Sequence, residues 1–266
     1  MSSAYLLVSH GSRDPRHQIA VEQLVHLISQ SLVANDGKLR KIEKTAVGVQ
    51  SRNGGQGSRS RHSPLANSVG AAYLELSPLP LHQQIVSFGD RAIMQGYNRL
   101  QIVPLFLLPG VHVMEDIPAQ VAIAQETLGQ KLKLDLKPYL GTHPGLVHLL
   151  ATGLASTQVE AWILLAHGSR RAGSKQPVTA IAQQLGALPA YWSFAPSFQS
   201  RVQELVKAGY EQIGIIPYFL FAGGITDAIA LAVSQLQGQF PASKLHLAEP
   251  LGASQELADL ILDLID

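Results

Sequence analysis

The sequence predicts an α/β protein made of two tandem copies of one unit, each a doubly wound four-stranded parallel sheet flanked by helices. Three observations predict it. Four blocks recur in the same order: 4–13 (AYLLVSHGSR) as 161–170 (AWILLAHGSR), 72–78 (AYLELSP) as 190–196 (AYWSFAP), 97–110 (YNRLQIVPLFLLPG) as 210–223 (YEQIGIIPYFLFAG), and 138–141 (PYLG) as 250–252 (PLG). Two copies at so long a spacing mean two similar domains, not a solenoid. Within each copy short apolar runs alternate with segments of helical periodicity, the pattern of parallel strands joined by helical crossovers. The expected division is 1–157 and 158–266.

Each element has its own reason. The apolar runs at 4–9, 71–76, 99–107 and 132–136 suit strands buried on both faces. Segments 17–34, 81–95, 116–129 and 144–155 carry apolar residues at helical spacing. Pro118 and Pro144 stand near helix starts, where a missing N–H costs little. The second copy predicts strands near 161–166, 189–194, 212–219 and 244–248, and helices near 176–185, 197–208, 225–236 and 254–265. Between the first and second strands the first copy is much longer. Its extra residues fall at about 35–70, and 51–70 is polar, rich in Gly and Ser and without periodicity, so a mobile loop is expected there.

Composition narrows the functional classes. Of 266 residues 46% are apolar and 15% charged, which excludes a disordered chain. There is no cysteine, so no disulfide, thiolate metal site or Cys-bound iron–sulfur cluster can form. The apolar stretches 102–113 and 213–225 are broken by Pro and Gly and are too short to span a bilayer. No signal-peptide pattern opens the chain, and a cytoplasmic protein is expected. The net charge of +1 is a cancellation. Residues 38–62 hold Lys38, Arg40, Lys41, Lys44, Arg52, Arg59 and Arg61 against Glu43 alone, +6 in all, so the remainder carries −5. That segment could cover an acidic ligand. Neither nucleic acid nor membrane is expected as a partner.

In open parallel sheets ligands bind beyond the carboxyl ends of the strands. There the first copy places His10, Glu75 and His112, the last in a loop with Glu115 and Asp116 close behind. Two imidazoles and a carboxylate suit a divalent ion such as Fe²⁺, Co²⁺ or Ni²⁺. They also suit proton abstraction near neutral pH. The second copy keeps His167 but has Ser193 and Ile225 in place of the other two, so only the first carries the full set. His17, His26, His62, His82, His143, His148 and His246 show no partner pattern and are expected mostly in solvent. The HGSR loop could instead cradle phosphate at a helix start. A phosphohydrolase using His10 is a competing reading, disfavoured because Ser9 rather than Arg precedes that histidine. A non-catalytic metal carrier is another.

LLVSHGSRD, AYLELSP and VPLFLLPGVHVMEDIP together resemble the sirohydrochlorin chelatases, the CbiX/SirB group of class II chelatases, in their long duplicated form. The resemblance implies two chelatase-like domains of strand order 2-1-3-4, with two histidines and a glutamate facing a tetrapyrrole. The matching positions are His10, Glu75 and His112, implied as both metal ligands and catalytic groups. Ser12, Arg13 and Gly110 are implied contacts of the macrocycle. The implied activity is insertion of a divalent metal into sirohydrochlorin, with Fe²⁺ expected and cobalt insertion for cobalamin synthesis as the alternative. The metal is then a substrate, no permanently bound cofactor is expected, and the absence of cysteine removes the iron–sulfur cluster of some cobalt-inserting members. A monomer is expected, the second domain standing where a partner subunit would.

Overall fold

A computed structural model describes residues 3–46, 68–154, 157–169 and 173–265, with the backbone alone for 35–46. The first repeat runs β1 (Ser3–Ser9), α1 (Pro15–Ala46), β2 (Val69–Tyr73), α2 (Leu81–Met94), β3 (Arg99–Pro104), a π-helical turn (His112–Asp116) leading into α3 (Ile117–Leu128), β4 (Lys133–Leu136) and α4 (Gly145–Leu154). The second runs β5 (Ala161–Ala166), α5 (Lys175–Gln184), β6 (Ala187–Tyr191), α6 (Phe198–Lys207), β7 (Gln212–Pro217), α7 (Gly224–Gln239), β8 (Lys244–Leu247) and α8 (Gln255–Asp263). Two separate four-stranded sheets form, ordered β2-β1-β3-β4 and β6-β5-β7-β8, with every pairing parallel. The expected fold class and strand order are both found.

The central strand β1 has no solvated face, which is why its sequence is continuously apolar. Ala4, Leu6 and Val8 point to a core shared with α2 and α3. Leu7 points the other way, to Val21, Leu24 and Ile28 of α1 and to Leu257, Ala258 and Ile261 of α8. So the last helix of the second repeat covers the first sheet. The exchange is reciprocal: Leu146 and Leu150 of α4 pack with Leu164, Ala166 and Ile216 of the second sheet. A cut between 157 and 158 separates the strands of the two repeats but not their helix layers. Loops repeat the exchange, since Phe221 lies in the first repeat's cluster and Leu108 against the second's.

Three expectations are corrected. Helix α1 continues to Ala46 instead of ending at 34. Asn35-Asp36-Gly37 reads as a stop, but the Leu-, Lys-, Arg- and Glu-rich stretch after it is strongly helix-forming. Lys38, Arg40, Lys41 and Lys44 therefore lie on helical backbone, while Arg52, Arg59, Arg61 and the expected loop over 51–67 lie outside the described residues. Second, β2 begins at Val69, inside the stretch expected to be loop. Gly70 there is a packing residue, because a Cβ on it would stand 2.3 Å from the Phe88 ring. Third, several histidines are partnered instead of solvated. His82 bonds Gln120 at 2.8 Å, His246 bonds Gln212 at 2.8 Å, and His143 Nδ1 accepts the Gly145 N–H at 3.0 Å. No helix among the described residues is long and apolar enough to cross a membrane.

Candidate active site

The site forms where β1, β2 and β3 end side by side. Hydrogen bonding between the first two outlasts the strands: Leu74 N–H donates to Ser9 O and Glu75 N–H to His10 O, both at 2.9 Å. Those bonds set Glu75 beside His10 although Glu75 is two residues past β2. Gly11 permits the approach. Its φ is +92°, and a Cβ on it would lie 2.2 Å from the Glu75 carbonyl oxygen. Leu76, next after Glu75, has φ 55°, a left-handed conformation that side chains rarely adopt outside functional turns.

His112 arrives from the other side. It was expected in a loop, but it opens the π-helical turn at the head of α3, where the Ile117 N–H reaches back five residues to its carbonyl. Such wide turns are frequent at functional sites. Asp116 Oδ2 stands 2.7 Å from His112 Nδ1, so that nitrogen is the ring's N–H donor to the carboxylate. The other nitrogen, Nε2, is left to face Glu75 at 3.9 Å. His10 Nε2 faces the other Glu75 oxygen, also at 3.9 Å. The two imidazoles meet edge to face with centroids 4.9 Å apart, and Phe106 stands 6.4 Å from each.

One ligand atom each from His10, Glu75 and His112 falls within a 4.8 Å span, and no other such cluster occurs among the described residues. Ligands about 2.1 Å from one ion can be no more than about 4.2 Å apart. Around one tetrahedral ion they stand about 3.4 Å apart, so the 3.9 Å pairs must draw in by about half an ångström and the widest pair by more than an ångström when an ion binds. The side chains are 47%, 49% and 34% exposed, so an ion reaches them directly from solvent. Neutral imidazole with one carboxylate can hold a borderline divalent ion, and the carboxylate–imidazole pair at His112 fixes the tautomer that leaves a lone pair inward.

The remaining expected residues lie on the same loops. Ser12 Oγ accepts the Asp14 N–H at 3.0 Å, and Arg13 is exposed. Gly110 faces open space, with nothing within 4 Å of where a Cβ would be. Sequence reasoning missed two participants. Asp116 was noted without a role, although its i+4 spacing from His112 was legible. His17, expected in solvent, is half-buried, its ring 5.5 Å from Phe221 and 6.3 Å from Tyr73. Burial and the neighbouring His10 both push its pKa down.

The second repeat copies the backbone without the chemistry. Trp192 N–H donates to Ala166 O and Ser193 N–H to His167 O, at 2.9 and 3.1 Å. Ser193 thus stands in the place of Glu75. Beside Ile225, the Thr226 hydroxyl bonds Gly223 at the head of α7, at 2.8 Å. The copies also differ beneath the site. Ser9 Oγ is buried without a hydrogen-bond partner, whereas the matching position is Ala166. An unpaired buried hydroxyl costs on the order of 1–3 kcal/mol. Ser9→Ala is accordingly expected to leave stability unchanged or raise it by about 1 kcal/mol, read by chemical denaturation. A clear loss would show that the hydroxyl has a partner in solution.

The fold and its duplication have known counterparts. The CbiX family model matches the chain twice, over residues 57–157 and 161–266. A sirohydrochlorin ferrochelatase of Priestia megaterium is 27% identical over 202 residues, covering 71% of this chain and 73% of that protein. A sirohydrochlorin cobaltochelatase of the same organism is 25% identical over 188 residues, 65% of this chain and 61% of that protein. The structure of SirB from Bacillus subtilis with Fe³⁺ superimposes with a TM-score of 0.72 at 20% identity, covering 100% of this chain and 94% of SirB. With both repeats matched by the family model and the sheets, strand order and backbone crossings duplicated, the chain belongs to the CbiX family, carrying two copies of its domain in one polypeptide.

Proposed function

We propose that the protein is a sirohydrochlorin chelatase that inserts a divalent metal into the macrocycle, with residues 1–157 carrying the working site and 158–266 forming the opposing, inactive repeat. The observation that carries this reading is the His10–Glu75–His112 cluster, present in one repeat and dismantled in the other. Insertion breaks two pyrrole N–H bonds, releases two protons and forms the metal–nitrogen bonds. A site for it must hold a metal ion and then accept protons. Two imidazoles and a carboxylate do both, because lone pairs vacated by the departing metal become the bases that take the protons. His10 and His112 are assigned as metal holders and proton acceptors, and Glu75 as the third ligand and proton relay. Asp116 keeps the His112 lone pair pointed at the ion.

The surroundings support a flat apolar ligand with a charged edge. Leu76 next to Glu75, and Val111 and Met114 around His112, are 59%, 49% and 54% exposed. Exposed apolar groups clustered about a polar centre mark a binding surface. Ser12, Arg13 and Gly110 are proposed contacts of the macrocycle, with Arg13 meeting a carboxylate. Iron is the proposed physiological metal, since the ferrochelatase is the more similar of the two Priestia relatives and the chain lacks the cysteines a cluster would use. A monomer is the proposed state, because the exchanged helices α4 and α8 already join two repeats within one chain.

The test is to mix the protein with excess sirohydrochlorin and Fe²⁺ or Co²⁺ and follow the absorption spectrum. Turnover well beyond one equivalent, faster than the protein-free reaction, is the expected result. Uptake of one equivalent without turnover would make the protein a carrier instead.

A further inference from the structure

Arg16 occupies the second position of α1, immediately after the loop that carries His10. The N-terminal end of a helix disfavours a cation, so helix stability does not account for it. Its guanidinium reaches in two directions. Nε and Nη2 donate to Asp14, at 3.0 and 2.6 Å. Nη1 and Nη2 donate to Asp227 of the second repeat, at 3.0 and 2.6 Å. Asp227 lies in the first turn of α7, two residues beyond Ile225, which occupies the place of His112. The two repeats approach closely here, since a Cβ on Gly223 would come within 3.8 Å of Asp14 Oδ2. Arg16 and Asp227 are nonetheless 46% and 58% exposed, and exposed pairs of this kind are weak.

We propose that Arg16 is a specificity-determining residue that receives a peripheral carboxylate of the macrocycle, and that Asp227 of the second repeat holds its guanidinium in place until that carboxylate arrives. The inference rests on the chelatase reading above. The planar fork that pairs bidentately with Asp227 pairs as well with any other carboxylate, so arrival of substrate exchanges one carboxylate for another. Asp14 stays bound throughout and orients the fork. Its own carboxyl, drawn down to about 2 mainly by the Arg16 side chain, remains ionised at any pH of assay. With Arg16 set against two aspartates, the undisturbed cluster has a net charge of −1. It repels a polyanion. A macrocycle with an acidic group at that point of the rim can take the fork from Asp227 and offset this repulsion with an ion pair, whereas one without it meets the repulsion alone, which favours the acidic substrate.

The experiment compares Arg16→Ala with Asp227→Asn, measuring kcat and KM with Co²⁺ and binding of metal-free sirohydrochlorin by spectral titration. If Arg16 receives substrate, Arg16→Ala raises KM and the dissociation constant about tenfold with kcat within about twofold. Asp227→Asn, which frees the guanidinium, lowers both or leaves them unchanged. If Arg16 merely fastens the repeats together, the two variants weaken binding alike, and that result overturns the proposal. No change in Arg16→Ala also overturns it. Wild-type turnover separates the two levels of inference: normal turnover with a negative Arg16 result removes only this assignment, and absence of wild-type turnover and binding removes the chelatase reading and this one with it. Melting temperatures of both variants are expected within a few degrees of wild type, because the cluster is solvent-exposed.

Discussion

Replacing His112 with alanine is expected to lower sirohydrochlorin turnover by at least about a hundredfold while leaving the fold intact. The side chain is about one-third exposed and its nearest polar partners are Asp116 and Glu75, so little packing is lost with it. Two functions go at once: one nitrogen ligand to the incoming ion and one acceptor for a departing proton. A Co²⁺ titration should show weaker binding in the same variant, and its circular dichroism and melting temperature should match wild type. Asp116→Ala tests the supporting layer. It leaves the ligand but removes the carboxylate that fixes its tautomer, and a loss of roughly ten- to a hundredfold is expected. His167→Ala, in the second repeat, is expected to retain turnover, because Ser193 and Ile225 leave His167 without the other two ligands. Wild-type turnover in His112→Ala would overturn the assignment of the site.

The cluster was legible in the sequence because the duplication made it so. Strand ends could be found by aligning two copies of one unit, and the rule that ligands bind beyond those ends selected His10, Glu75 and His112 from many polar residues. The contrast with Ser193 and Ile225 marked which copy was intact. What stayed hidden depends on contacts between repeats or on backbone hydrogen bonding that periodicity does not encode. The position of His17 is decided by Phe221, over two hundred residues away and belonging to the other repeat. The exchange of α4 and α8 leaves no local signal, since an amphipathic helix presents the same apolar stripe whichever sheet it covers. The π-helical turn adds one residue to an otherwise ordinary helix start, and HVMED reads equally well as loop or first turn. Gly70 closes a polar stretch rich in Gly and Ser that reads as loop, and only the Phe88 ring above it shows a packing role for the glycine.

A single methyl group on Gly11 should be as damaging as loss of a ligand. Gly11→Ala must place its Cβ 2.2 Å from the Glu75 carbonyl oxygen, or move one backbone away from the other. Backbone cannot swing aside like the end of a flexible side chain. At φ +92° an L-residue is also strained, at a cost of about 1–2 kcal/mol before any clash. The relief open to the chain is to break the bond from Glu75 N–H to His10 O, which holds the carboxylate beside the first imidazole. The expected result is a destabilisation of roughly 2–4 kcal/mol together with a fall in turnover of a hundredfold or more, since a displacement of about 1 Å at reacting groups has effects of that size. Gly168 supplies the control within the same molecule. It holds the matching place in the second repeat, with φ +89°, and a Cβ there would stand 2.6 Å from the Phe194 ring. Gly168→Ala should therefore lose stability too, and somewhat less, because a ring edge yields more readily than a carbonyl. Well below its melting temperature, however, it should turn over sirohydrochlorin at close to the wild-type rate. If both variants lose turnover in proportion to stability, the Gly11 loop matters only as part of the fold. If Gly11→Ala alone loses turnover at a temperature where both are folded, the close approach of the two chains at Gly11 is what builds the metal site.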